Sequence, residues 1–182
     1  MFTIKENISN EIIINKSRFI TYLYKVNSIL EVNNILNELK CKYKDATHYC
    51  FAYIIGNIKR FNDDGEPSHT AGMPILNVLE SKDLNNVLAV VIRYFGGIKL
   101  GAGGLVRAYT NSVTKALKEE NIIPLKKIIK KRIVFDYSNI NNINYILKDY
   151  NITYKEFDKS VIYEFTYEEN NYPRDIDKFI MR

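Results

Sequence analysis

A chain of 182 residues in which 46% of the side chains are hydrophobic carries enough apolar material for one large or two small cores, which excludes a disordered chain. Its longest apolar stretches, residues 87–92 and 12–14, fall far short of the ~20 residues a membrane span needs, and residues 1–10 lack the apolar core of a signal peptide; a cytoplasmic location without a membrane partner is expected. The formal charge of +5 is weak evidence for a nucleic-acid partner, because Lys, Asn, Ile and Tyr are abundant together, and the two cysteines, Cys41 and Cys50, lack a Cys-x-x-Cys spacing and read as buried small hydrophobes.

Residues 11–16 and 19–25 are rich in Ile and Tyr with partial alternation, so they predict two strands of a hairpin turning at Ser17 and Arg18. Ser28 and Glu31 make a capping box. Ile29, Val32, Ile35, Leu36, Leu39 and Tyr43 follow at helical spacing. Residues 48–55 and 58–61 predict a third and a fourth strand around a turn at Gly56 and Asn57. A polar loop, 62–69, leads to a short helix over 70–81, where Pro74 is tolerable only in the first turn.

Residues 87–95 form a nearly unbroken apolar run, as in a central strand covered on both faces, with Arg93 its one charge. A glycine-rich loop over 96–104 then precedes a helix from about 105 to 120 with Leu105, Ala108, Tyr109, Val113, Ala116 and Leu117 as its buried stripe.

Pro124 and a lysine cluster interrupt the pattern over 121–129, so the expected domains are 1–123 and 124–182. The basic run Lys126, Lys127, Lys130, Lys131 and Arg132 reads as a solvated linker. Beyond it come a strand over 132–137, a helix capped by Ser138, strands over 152–157 and 161–167, and a helix after Pro173. The order strand, helix, strand, strand, helix is that of a ferredoxin-like domain without its last strand. The fold class is therefore α+β, with a trimmed C-terminal unit and one uncovered sheet edge.

Two loops carry the candidate chemistry. In the first, Gly65 and Pro67 set a defined path that could present Asp63, Asp64 and Glu66 together, near Thr70; the same side chains could instead cap backbone amides. In the second, Gly96, Gly97, Gly101, Gly103 and Gly104 surround Lys99 and would leave bare amides at the positive end of the following helix, where a phosphate is held. Close backbone packing explains such glycines equally well. The segment is neither a Walker A loop nor a dinucleotide fingerprint. Arg18, Arg60, Arg93, Lys99 and Arg107 lie in or beside these loops and would hold phosphate or pair with the three acids. His48 and His69, the only histidines, have no metal-binding spacing.

The segments Ser17-Arg18-Phe19, Ala46-Thr47-His48, Ala52-Tyr53, Asp63-Asp64-Gly65-Glu66-Pro67, Thr70-Ala71-Gly72 and above all the unbroken run from Arg93 to Tyr109 resemble the YigZ/IMPACT family. The resemblance covers residues 1–120 strongly. It implies an N-terminal domain of the ribosomal protein S5 domain 2-like type, a C-terminal ferredoxin-like domain, and the shorter bacterial form, without the additional N-terminal domain of eukaryotic members. His69, where a small residue is common, and Asn62, where Ser is usual, depart from the pattern.

The expected role is binding rather than catalysis: a nucleic-acid- or ribosome-associated protein linked to regulation of translation, with no cofactor and no metal. Arg60, Arg93, Lys99 and Arg107 with the five glycines would contact RNA phosphates; His48, Asp63, Asp64, Gly65, Glu66 and Thr70 form the second loop of interest. One alternative is a small-molecule or metal-dependent hydrolase built on Asp63, Asp64, Glu66 and His48. Another is a protein-interaction module whose acidic loop binds a basic partner.

Overall fold

The computed structural model describes residues 1–181. The chain is α+β and divides into two units, Met1–Leu125 and a second from Lys126 onward. No helix among the described residues is long and apolar enough to cross a membrane.

In the first unit, strands β1 (Phe2–Ile4), β2 (Ile8–Ile14) and β3 (Ser17–Lys25) precede helix α1 (Ile29–Lys42). Strands β4 (His48–Ile55) and β5 (Ile58–Asn62), helix α2 (Gly72–Ser81), strand β6 (Val87–Tyr94), helix α3 (Gly101–Ala116) and strand β7 (Ile122–Pro124) follow. Five strands form one antiparallel sheet in the order β2-β3-β6-β4-β5, so β6 is central. Its residues Val87 to Ile92 are fully buried, alternating between two layers. Val87, Ala89 and Val91 pack with α2 and α3, while Leu88, Val90 and Ile92 pack with Val32 and Leu39 of α1. Each such Val, Leu or Ile removed from water contributes roughly 1.5–3 kcal/mol, which is why a run apolar on both faces becomes the middle strand.

Helix α1 starts as its capping box requires. Ser28 Oγ accepts the Glu31 amide (3.2 Å), and Glu31 Oε2 reaches back to the amide of Asn27 (3.0 Å).

Several boundaries differ from the sequence reading. The first hairpin turns at Asn15 and Lys16, both at positive φ (46° and 64°), because the ladder runs on to the pair Ile14 and Ser17. Ser17 and Arg18 are therefore strand residues. Helix α3 begins at Gly101, four residues before the expected start, so Gly101, Gly103 and Gly104 form its first turn rather than a loop. The segment around Pro124 is strand β7, which pairs antiparallel with β1; Pro124 lies opposite Phe2 at the end of that ladder.

The second unit holds strand β8 (Ile128–Phe135), helix α4 (Ile140–Ile146) and strands β9 (Asn151–Phe157) and β10 (Val161–Glu168). They form an antiparallel sheet in the order β8-β10-β9 over a core of Ile133, Phe135, Ile143, Leu147, Val161, Tyr163, Phe165 and Ile176. After Pro173 the chain makes a 3₁₀ turn, Arg174–Lys178, rather than an α-helix. Among the described residues the sheet has three strands, and Ile180 adds a single bridge to Phe135 at the β8 edge.

The basic run is not a linker. Strand β8 starts at Ile128 and takes in Lys130, Lys131 and Arg132; Lys126 and Lys127 pair with Glu168 and Glu169 (2.7 Å each), and Lys130 pairs with Glu164. Cross-strand acids on β10 and just beyond it neutralise charge that reads as unopposed along the chain.

Candidate functional site

The site is built at the end of β6, where the strand's last charge meets the loop from β5 to α2. That loop is shaped by its own acids. Asn62 Oδ1 accepts the Asp64 amide (2.7 Å), and Asp63 accepts three amides, from His69 (2.9 Å), Ala71 (3.0 Å) and Gly72 (2.7 Å), which caps the amino end of α2. Asp64 Oδ2 takes the amide of Tyr49 (2.6 Å) and ties the loop to β4. Thr70 closes the turn by donating to the Pro67 carbonyl (2.6 Å). Asp64, Gly65 and His69 sit at positive φ, and the His69 ring lies 5.7 Å from that of Phe61.

Glu66 is thereby directed inward. Its Oε1 accepts from Arg93 Nη1 (2.6 Å) and from Tyr109 Oη (2.7 Å), with His48 Nε2 at 3.8 Å. Glu66 and Arg93 are only 8% and 4% exposed. Arg93 Nη2 donates to Ser17 Oγ (3.3 Å), which also accepts the Gly96 amide (3.2 Å). Arg93 Nε is buried and has no hydrogen-bond partner. His48 Nδ1 donates to the Asp64 carbonyl (2.8 Å), and Cys50 Sγ lies 3.3 Å from Tyr109 Oη. Burial pushes the titration of both the Cys50 thiol and the Tyr109 hydroxyl up, so each remains a protonated donor.

The Asp63 and Asp64 carboxylates thus serve backbone amides, while the Glu66 carboxylate meets Arg93, Tyr109 and, at 3.8 Å, His48. Among the described residues no group of three or more His, Cys, Asp or Glu side chains forms a metal-ligand set.

The candidate cations divide. Strand pairing sets Arg93 opposite Phe19 on β3 and His48 on β4, on the α2 and α3 side of the sheet. Arg60 pairs with Tyr53, whose side chain packs on the α1 side, so Arg60 lies on the opposite face; its guanidinium bonds the Lys59 carbonyl (2.9 Å). Arg18 is also committed elsewhere, through two bonds to Glu11 (2.7 and 2.8 Å), and that guanidinium holds the Glu11 carboxyl below its usual range. Lys99 lines one cleft with Arg93, and Arg107 is an exposed residue of α3. A Cβ added at Gly103 would lie 3.7 Å from Arg107 Nη1, so that guanidinium folds back over the first turn of α3. Neither Lys99 nor Arg107 has a carboxylate partner among the described residues.

The glycines also divide. A Cβ at Gly96 would meet the Lys16 backbone at 2.0 Å, so this position is set by the close crossing of two chain segments. Gly97 takes φ +83° with open space around it. Gly101, at φ +68°, opens α3 directly after Leu100, and no side chain caps that helix end. Gly101 and Ala102 of the first turn, whose amides have no partner within the helix, line a cleft of about 360 Å³ together with Glu66, Arg93, Phe95, Lys99, Leu100 and Leu105.

Ser17, Tyr109 and Cys50 were not read as site residues. Tyr109 appears in the sequence as part of an apolar stripe and as the end of the family-like run from Arg93, and its hydroxyl must find a partner when buried. Ser17 stands out only as the first residue of the family-like segment Ser17-Arg18-Phe19.

The family model described as the Impact N-terminal domain matches residues 15–117. The chain is 44% identical over 172 residues to the IMPACT family member YvyE of Bacillus subtilis (strain 168), covering 92% of this chain and 79% of that protein. It is 34% identical over 139 residues to the IMPACT family member YigZ of Escherichia coli (strain K12), covering 74% and 68%. A crystal structure of a hypothetical protein superposes with a TM-score of 0.79 at 28% identity, over 97% of this chain and 89% of that one. With the matched region spanning every residue from Ser17 to Tyr109 that builds the site, the chain belongs to the IMPACT family.

Proposed function

We propose that the protein is a nucleic-acid- or ribosome-associated binding protein linked to regulation of translation, acting in the cytoplasm through phosphate contacts at the amino end of α3. The observation that carries this reading is the meeting of an uncapped helix end with Lys99 and Arg107, both without acidic partners among the described residues. Free amides and the helix dipole favour an anion there, and two cations strengthen the preference. Glu66 does not oppose it, since Arg93 and Tyr109 already satisfy its charge. The domain types implied by the family resemblance, S5 domain 2-like and ferredoxin-like, recur among RNA-binding and ribosome-associated proteins and support the same direction; fold analogy alone would not establish it.

The test is RNA binding across a salt series with wild type and the Lys99→Ala/Arg107→Ala double variant. Affinity falls steeply as salt rises, and losing two phosphate contacts lowers the log–log slope by roughly 1.4–1.8. A slope that is flat in the wild type, or unchanged in the double variant, rules the reading out.

A further inference from the structure

We infer that the cleft beside α3 seats one unpaired nucleotide, with its base on Phe95 and its phosphate at the first turn of α3, so that single-stranded RNA is bound in preference to duplex. This rests on the phosphate reading above and adds the contact that distinguishes nucleic-acid forms. The cleft combines two surfaces that an inorganic anion would not use together. Its lining is largely apolar, from Pro67, Phe95, Leu100 and Leu105, and also includes Lys99 and, in the uncapped first turn of α3, Gly101 and Ala102. A ligand that satisfies both is an anion bearing a flat, weakly polar body. At about 360 Å³ the space falls in the range of small-ligand pockets, roughly 300–1,000 Å³.

Phe95 is the platform. It is 47% exposed at the end of the most buried strand of the sheet, yet it is held in place. The Arg93 guanidinium lies 5.5 Å from the ring centroid, and Thr47 Oγ1 accepts the Phe95 amide (3.0 Å). Arg93 is in turn clamped by Glu66 and Ser17. A ring fixed from behind by a buried cation is organised in advance for stacking, so little ordering cost attends binding. Arg93 itself lines the cleft, is 4% exposed, and keeps Nε unpaired. Buried donors are ordinarily satisfied, so this wall is incomplete without a further group. A duplex covers both faces of its bases; only an unstacked base can lie on Phe95.

The test uses fluorescence anisotropy with a short labelled single strand and a duplex of the same composition. The wild type is expected to bind the single strand more tightly. Phe95→Ala should weaken single-strand binding by about 5- to 150-fold while leaving duplex affinity and the salt slope unchanged, and Phe95→Tyr should restore it. The chain contains no tryptophan, so Phe95→Trp introduces a sole reporter whose fluorescence should be quenched by the single strand and not by inorganic phosphate. Single-strand affinity unchanged in Phe95→Ala, or an unquenched Phe95→Trp at saturating RNA, overturns the nucleotide pocket. The phosphate reading stands in that case if Lys99→Ala/Arg107→Ala still weakens binding, whereas a wild type that binds neither RNA form overturns both. Should Phe95→Ala fail to fold, the tyrosine and tryptophan variants decide.

Discussion

Arg93 on the central strand and Glu66 in the loop before α2 meet at 2.6 Å, both almost wholly buried from bulk water. The loop's path, the end of the first hairpin and helix α3 all converge on this pair, through Ser17 and Tyr109. A buried ion pair is poor evidence of net stabilisation, but removing one partner strands the other's charge. Arg93→Leu and Glu66→Leu should each destabilise the first unit by about 3–5 kcal/mol, and the double substitution by less than the sum of the two. Urea unfolding of the four proteins checks this; additive losses would mean the two side chains act independently.

Asp63 accepts three backbone amides and holds the amino end of α2. Asp63→Ala should cost about 1–2 kcal/mol and raise amide hydrogen exchange at Ala71 and Gly72 before other parts of the sheet. Asp63→Asn should recover part of the loss. Equal loss in both variants would point to a role for the charge beyond capping.

Cys41 is exposed and Cys50 is buried. A thiol reagent should therefore modify Cys41 in the native protein and Cys50 only on unfolding. Burial raises the titration of Cys50 and Tyr109, so the unfolded chain loses these protons at lower pH than the folded one. Their contribution is complete below about pH 8.5, the ordinary thiol value, and is lost as pH rises above it. The melting temperature should fall from pH 8 to 10, with a smaller fall in Cys50→Ala.

Arg60 and Arg107 are both exposed cations that a linear reading groups together, yet they lie on opposite faces of the sheet. Arg60→Ala should leave RNA affinity within about twofold of wild type, since isolated surface substitutions perturb by roughly 0.5 kcal/mol or less. Arg107→Ala should weaken it clearly. Equal losses would place the interface elsewhere.

Local signals explain where sequence reading and structure agree. The capping box of α1, the doubly buried β6 and the last two strands of the second unit depend on neighbours in sequence, and each lies within a residue or two of its expected range, whereas β8 starts four residues before its expected range because its lysines find acids across the sheet. The α3 start was misplaced because glycines read as loop formers, whereas Leu100 and Gly101 place the helix entry ahead of Gly103 and Gly104. The strand at Pro124 was missed because its partner, Phe2–Ile4, is distant in sequence and too short to carry a pattern.

The amino-acid sequence by itself determined the α+β class, the middle strand, the family and the two loops worth attention, because hydrophobic period, caps and contiguous motifs are local quantities. Only the tertiary structure decided which charges meet. That Arg60 leaves the cluster follows from strand register, which sends alternate residues to opposite faces of a sheet, and that Glu66 turns inward to Arg93 follows from the path of a loop whose Asp63 and Asp64 serve backbone amides. A one-dimensional list of arginines cannot contain that information, since the face each one takes is fixed by its cross-strand partner.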